Sequence, residues 1–319
     1  MPADRTALGV RLREGLAAAA NRTGGWGYFA EKSSRIEPTA WALLALAETS
    51  DQDAAAWQAF AAPHLQFLAT CQRADGLLVD NPQAPPNFAA NGVAACVLAH
   101  LSAGRENALL SRLLDGLVSV KGVAVRTWLI DAFAAIQDMT AKLPNPRQDN
   151  SLQAWPWIPE TFSWVEPTSW CLLALKKTAV QAPRNGAQAR IREADTLLLN
   201  RVCTSGGWNY GNSAAFAQDL RAYVPTTAVG LMALQDRPTD PGVKRTLTFL
   251  DGARLAESSA MALGLATIAL RLHGRPVEDV EERLADDVAR AERMGNLQSL
   301  ALALYALSGA RHQMKAFHV

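Results

Sequence analysis

The sequence predicts an all-α fold in which about six helical hairpins close into an α/α toroid, with inner and outer helical rings around a central cavity. Two observations carry this expectation. Nearly wholly apolar segments alternate with amphipathic ones along the chain, and one loop-plus-helix pattern recurs. An apolar helix cannot face water, whereas an amphipathic helix needs only one buried stripe, so the alternation sorts them into an inner ring wrapped by an outer ring. Repeats of this kind bury a continuous core only by stacking on their neighbours. The 319 residues are therefore read as a single domain, 1–319.

Three segments show the pattern most clearly. The first runs Gly24-Gly25-Trp26-Gly27-Tyr28, then Ile36-Glu37-Pro38-Thr39-Ala40-Trp41 and on to Leu46. The second has Trp155-Pro156-Trp157, then Val165-Glu166-Pro167-Thr168-Ser169-Trp170 and on to Leu175. The third has Gly206-Gly207-Trp208-Asn209-Tyr210, then Val224-Pro225-Thr226-Thr227 and on to Leu234. Proline suits the first helical turn, where its missing N–H would be unpaired anyway, so Pro38, Pro167 and Pro225 mark inner-helix starts. Weaker copies predict inner helices from about Asn87 to Leu101, Glu257 to Leu272 and Asn296 to Leu307. Outer, amphipathic helices are predicted over Ala7–Ala20, Ala54–Cys71, Ala187–Val202, Val243–Leu250 and Val277–Arg293. Between residues 106 and 150 the pattern breaks. Glu106–Val120 and Ala124–Met139 both read as helical, while Lys142–Asn150, with Pro144 and Pro146, does not. The expectation is six hairpins with an odd helix near 106–120.

Apolar residues make up 49% of the chain and charged residues 19%, below the usual quarter, which suits helices buried on more than one side. A net charge of +1 argues against nucleic acid as a partner, since no long-range attraction would draw it. The residues from Met1 to Val10 lack the apolar stretch of a signal peptide, and the longest apolar runs fall short of a membrane span. A cytoplasmic location is expected, with contact at a membrane surface left open. Cys71, Cys96, Cys171 and Cys203 are widely separated and read as small core residues. Oligomeric state leaves no mark in the sequence.

With these repeats on the page, the chain resembles the superfamily of squalene and terpenoid cyclases and protein prenyltransferases. Cyclases of that group carry degenerate repeats of the form Phe-Leu-x3-Gln-x3-Gly-x-Trp. Here Phe67-Leu68-x3-Gln72-x3-Gly76 matches until Leu78 replaces the tryptophan; Gly24-x-Trp26 and Gly206-x-Trp208 keep the end of the motif, with Ala20 and Val202 in place of glutamine. The resemblance covers nearly the whole chain and implies the α/α toroid. It also implies an isoprenoid or similarly apolar small molecule in the central cavity. Class II cyclases protonate an alkene or epoxide with an Asp-x-Asp-Asp-Thr-Ala motif at an inner-helix start. Aligning Thr39-Ala40 with that Thr-Ala puts Glu37 at the acid position, followed by Pro38 and preceded by Arg35 where the first Asp would stand. Glu166 falls at the same place in a second repeat. Asp51-Gln52-Asp53 has Asp-x-Asp spacing but follows an inner helix, so it is read as a turn or a cap. The prenyltransferase zinc site needs Asp-x-Cys, which does not occur. Cys96 and His100, four apart on an apolar helix, are two ligands where three or four are needed, so no metal or other cofactor is expected.

Glu37 and Glu166 are thus the candidate catalytic residues. The competing reading is that Glu-Pro-Thr is only a helix-start signature, favoured by the helix dipole by roughly 0.3–1 kcal/mol. Trp155, Trp157, Trp164, Tyr210 and Tyr223 fall in loops leading to inner helices, where their faces could stabilise carbocations or could simply plug gaps between helices. Arg35, Asp219 and Arg221 precede inner helices and are candidates for lining the same mouth. The leading functional expectation is acid-initiated cyclisation, or prenyl chemistry, on an isoprenoid-like ligand. The alternative is a non-catalytic toroid that binds a lipid or a protein.

Overall fold

The computed structural model describes residues 5–51, 53–102, 107–124, 148–215 and 218–319. Helices α1 (Arg5–Ala18), α3 (Ala54–Thr70), α5 (Ala108–Ser119), α7 (Ala187–Asn200), α9 (Pro241–Ala253) and α11 (Glu278–Met294) form the outer ring. Helices α2 (Ile36–Thr49), α4 (Phe88–Leu101), α6 (Val165–Thr178), α8 (Val224–Ala233), α10 (Ala260–Leu272) and α12 (Leu297–Leu307) form the inner one. Each inner helix packs on the next, and α12 returns to α2, so the ring is closed. The inner helices are buried along nearly their whole length, as their lack of a polar face requires.

Helix starts follow local capping chemistry. The side chains of Asp53, Asn87, Asn107, Asp240, Ser259 and Asn296 each accept a backbone N–H from the first turn they precede. Asp53 is therefore the cap of α3, as its position suggested. The odd helix near 106–120 is corrected: Ala108–Ser119 is the regular third outer helix, packed on α4 and α6. The helix expected over 124–139 lies outside the described residues.

The repeat signature is a structural clamp. The hydroxyls of Thr39, Thr168 and Thr227 accept the backbone N–H of Trp26, Trp155 and Trp208, at 2.9, 3.2 and 3.0 Å. They donate back to the carbonyls of the same tryptophans. Each indole N–H then donates to an outer helix, at the carbonyls of Leu16, Leu117 and Leu198. The second repeat does the same with an amide: Asn91 Oδ1 accepts from Leu78 N, and its Nδ2 donates to Leu78 O. Thr227→Val keeps the shape of the side chain but leaves the buried Trp208 N–H unpaired, while the Trp208 carbonyl keeps the bond from Tyr223 N–H. It should cost about 1–3 kcal/mol in denaturant unfolding.

Inside the inner ring, four fully buried rings meet. Phe317 lies 5.4 Å from Trp41, 5.7 Å from Trp170 and 5.6 Å from Tyr305, centroid to centroid. The tryptophans at the axis are thus those of the inner helices, whereas Trp26, Trp155 and Trp208 sit buried between the two rings.

Candidate active site at the mouth of the toroid

Because the inner helices all run the same way round the ring, their N-termini and the loops that lead into them share one rim. A second positional rule organises that rim. The residue two places after each repeat tryptophan, or its replacement, reaches the start of the preceding inner helix. Tyr28 O accepts from Leu297 N of α12, Trp157 O from Phe88 N of α4, and Tyr210 O from Val165 N of α6. In the second repeat Asp80 takes this place and uses its side chain, with Oδ1 2.7 Å from Ile36 N of α2. These contacts satisfy amides that a helix cannot satisfy internally, and they fix the starts of α2, α4, α6 and α12 at the mouth.

Glu37 and Glu166 are two of those second residues. Both keep some solvent-exposed surface although protein surrounds them. Glu37 Oε2 is 3.1 Å from the Tyr28 hydroxyl, and Gln298 Nε2 donates to Oε1 at 2.7 Å. Burial raises the Glu37 carboxyl above the usual range; the bonds from Tyr28 and Gln298 oppose this and the charge of Asp80 adds to it. Burial, with the nearby charge of Glu37, pushes Glu166 up to about 7. Asp80 is also raised by burial, against the pull of the Ile36 amide and of Arg35, 3.9 Å away. Burial and the charge of Glu37 raise the Tyr28 hydroxyl. Three carboxyls thus share the mouth, and burial raises all of them, reinforced at Glu37 by the charge of Asp80 and at Glu166 by that of Glu37.

The other expected residues divide. Arg35 faces Asp80. Trp157 is half-buried beside the start of α4. Tyr210 and Tyr223 are exposed, with ring centroids 5.2 Å apart. Asp219 and Arg221 are exposed on a short hairpin, Ala214–Ala215 paired with Gln218–Asp219, and just beyond it. Trp155 has no surface at the mouth: it is fully buried, its indole face covered by the Arg190 guanidinium at 4.3 Å. Trp164 turns instead toward a neighbouring crevice, against Gly211. Cys96 is a core residue, and His100 bonds Glu48 at 2.6 Å on the opposite rim.

Asp80 and Gln298 were not among the expected site residues, and Tyr28 stood there only as one of the repeat's loop aromatics. The repeat does contain the signal for them. Gln298 holds the helix position of Glu37 and Glu166, and Asp80 holds the loop position of Tyr28, Trp157 and Tyr210.

No family model and no curated protein sequence matches the chain. Among solved structures, a protein from Actinoplanes is 15% identical over 96% of this chain and 100% of its own, with a TM-score of 0.56. The apo structure of a beta-1,3-1,4-glucanase from Paenibacillus sp. X4 is 13% identical over 97% of this chain and 93% of its own, with a TM-score of 0.52. At such identities the likeness is one of fold alone. The type II terpene cyclase MstE from Scytonema, with geranylgeranyl dihydroxybenzoate bound, aligns over 97% of this chain and 98% of its own at 13% identity, but its TM-score of 0.38 is too low to argue from. Among the described residues, the fold and the mouth together define an all-α toroid of six hairpins with a carboxyl cluster at the start of its inner ring.

Proposed function

We propose that the chain is a terpenoid-cyclase-like protein that takes an isoprenoid or similarly apolar molecule at this mouth and protonates it with the Glu37–Glu166 pair. The observation that carries the reading is the pair itself: two carboxyls in one mouth, both raised, one to about 7. A carboxyl with a pKa near the working pH is suited to give up a proton there and take one back. The proton would form a C–H bond at one alkene carbon and leave its neighbour cationic. A second double bond would then attack that carbon, and the final cation would lose a proton to the carboxylate. Tyr28 and Gln298 hold Glu37 in place by its two oxygens.

The surroundings favour an apolar ligand. Among the described residues, nine of the twelve exposed large hydrophobic side chains lie on this rim, including Phe29, Ile158, Phe162 and Met261. Apolar side chains gathered at one rim suit contact with an apolar ligand or a membrane surface, and contact with a bilayer is part of the proposal. Among the described residues, no helix is long and apolar enough to cross one.

A non-catalytic lipid-binding toroid is the second reading. It is favoured by the four-ring packing on the axis, which leaves a ligand the mouth rather than the depth of the ring. Incubation with farnesyl diphosphate, geranylgeranyl diphosphate and squalene, followed by gas chromatography–mass spectrometry, separates the two. Cyclised product from the wild type should fall by at least about 100-fold in the Glu37→Gln, Glu166→Gln double variant. Binding of these molecules without any product would favour the second reading.

A further inference from the structure

Beside the mouth, between the loop that precedes α6 and the loop that precedes α8, lies a separate crevice of about 230 Å³. Its lining includes the aromatic rings of Phe162 and Trp164 and the side-chain amides of Gln148 and Asn212, the first donating to the second at 3.0 Å. Arg201, at the end of outer helix α7, lines the same crevice and is buried, with only 6% of its surface exposed.

The partners of that guanidinium are all neutral. Nη1 donates to Asn200 Oδ1 at 2.9 Å; Nη2 donates to the Asp149 main-chain carbonyl at 2.9 Å and to Asn150 Oδ1 at 3.3 Å. The nearest carboxylate, that of Asp149, is turned to Ser151, accepting from its N–H and its hydroxyl. Among the described residues no carboxylate is within ion-pair distance of Arg201. A buried charge normally has an ionic partner, because taking it out of water costs several kcal/mol that neutral dipoles repay only in part. Here burial lowers the guanidinium's proton affinity, and only the charge of Asp149 opposes this. The cation therefore stands at the wall of a cavity whose lining also holds the rings of Trp164 and Phe162 and the amides of Gln148 and Asn212.

We propose that this crevice is a binding site for a small organic anion, a carboxylate or phosphate monoester on a flat apolar body. The anionic group would pair with Arg201, the body would lie against Trp164 and Phe162, and Gln148 and Asn212 would bond the remaining polar atoms. A guanidinium suits both head groups because its planar fork matches two oxygens at once. The site is distinct from the Glu37–Glu166 mouth, and the proposal does not depend on any reaction there.

Isothermal titration calorimetry on the full chain tests it with three probes of one shape: benzoate, phenyl phosphate and benzyl alcohol. At least one of the two anions should bind at millimolar concentration or below, and benzyl alcohol should not; which anion binds more tightly identifies the head group. Arg201→Gln should weaken anion binding by at least about tenfold. Because that variant also loses bonds to the 149–150 turn, Asn212→Trp is the second arm. Asn212 is exposed and its Oδ1 accepts from Gln148 Nε2 at 3.0 Å, so the larger ring fills the crevice at the loss of one exposed bond; it should abolish binding while the protein keeps its far-ultraviolet circular dichroism and its cooperative melting. No binding of either anion, equal binding of benzyl alcohol, or unchanged anion binding in folded Arg201→Gln or in Asn212→Trp would overturn the proposal.

Discussion

Gly92→Val should destabilise the protein by about 4 kcal/mol or prevent folding, as read from denaturant unfolding or from loss of soluble expression. Gly92 sits inside α4 where that helix crosses α6. A Cβ there would stand 2.6 Å from the Trp170 carbonyl carbon and 2.7 Å from Cys171 N. Both atoms are main chain of another inner helix, so no rotamer change relieves the clash. Ordinary overpacking costs about 1–3 kcal/mol because side chains give way; here a whole helix would have to move. In a closed ring that movement opens every other inner contact. Two thiols show how tightly the crossing is made. Cys171 Sγ approaches Phe88 O at 3.2 Å, and Cys96 Sγ lies 4.0 Å from Trp170 O. Burial raises both thiols far above the ordinary cysteine range, as expected of core residues. A Gly92→Val protein that unfolds at the wild-type denaturant midpoint would mean that α4 and α6 are further apart than they are here.

Glu166 should impose a pH dependence of about 2 kcal/mol on stability, once solvent reaching a half-buried carboxyl is allowed for. Its folded pKa of about 7 lies above the 4.5 of an unperturbed glutamate. The native state therefore holds a proton that the unfolded chain has released, and unfolding gives up protons between those values. Stability attached to this group is full below about pH 4.5, falls as pH rises through about 7, and is flat above. Glu166→Gln removes the titration. The difference in melting temperature between variant and wild type should be near zero at low pH and should favour the variant at alkaline pH. Salt-bridged acids such as Asp279, whose carboxyl is held low by Arg254, add a slope of opposite sign at acid pH, which is why the comparison uses the difference. Under the proposed function, the same proton is the one delivered, so turnover should also fall as pH rises through about 7. A difference that does not change with pH would place Glu166 in contact with bulk water.

The two outcomes draw on different parts of the sequence. Alternation of apolar and amphipathic segments predicted both rings, since a helix without a polar face has only the interior available. Caps such as Asn87, Asp53 and Asn296 were legible because a side chain reaching an amide three residues on is a local event. Glu37 and Glu166 could be placed on one rim because equivalent positions of a repeat must come to equivalent places in a ring.

Tertiary structure alone decided what those carboxyls meet. Gln298 is 261 residues from Glu37 and touches it only because α12 closes the ring against α2. Asp80 reaches Glu37's helix because each loop caps the repeat before its own, a register that no local periodicity encodes. Likewise Trp164 and Trp155, both in loops ahead of α6, have opposite fates: one lines a crevice and the other is sealed between rings. Residue type and spacing specify which helix face is apolar and where a helix begins. Which buried atoms share one mouth follows from closure of the ring, because that contact joins segments far apart along the chain.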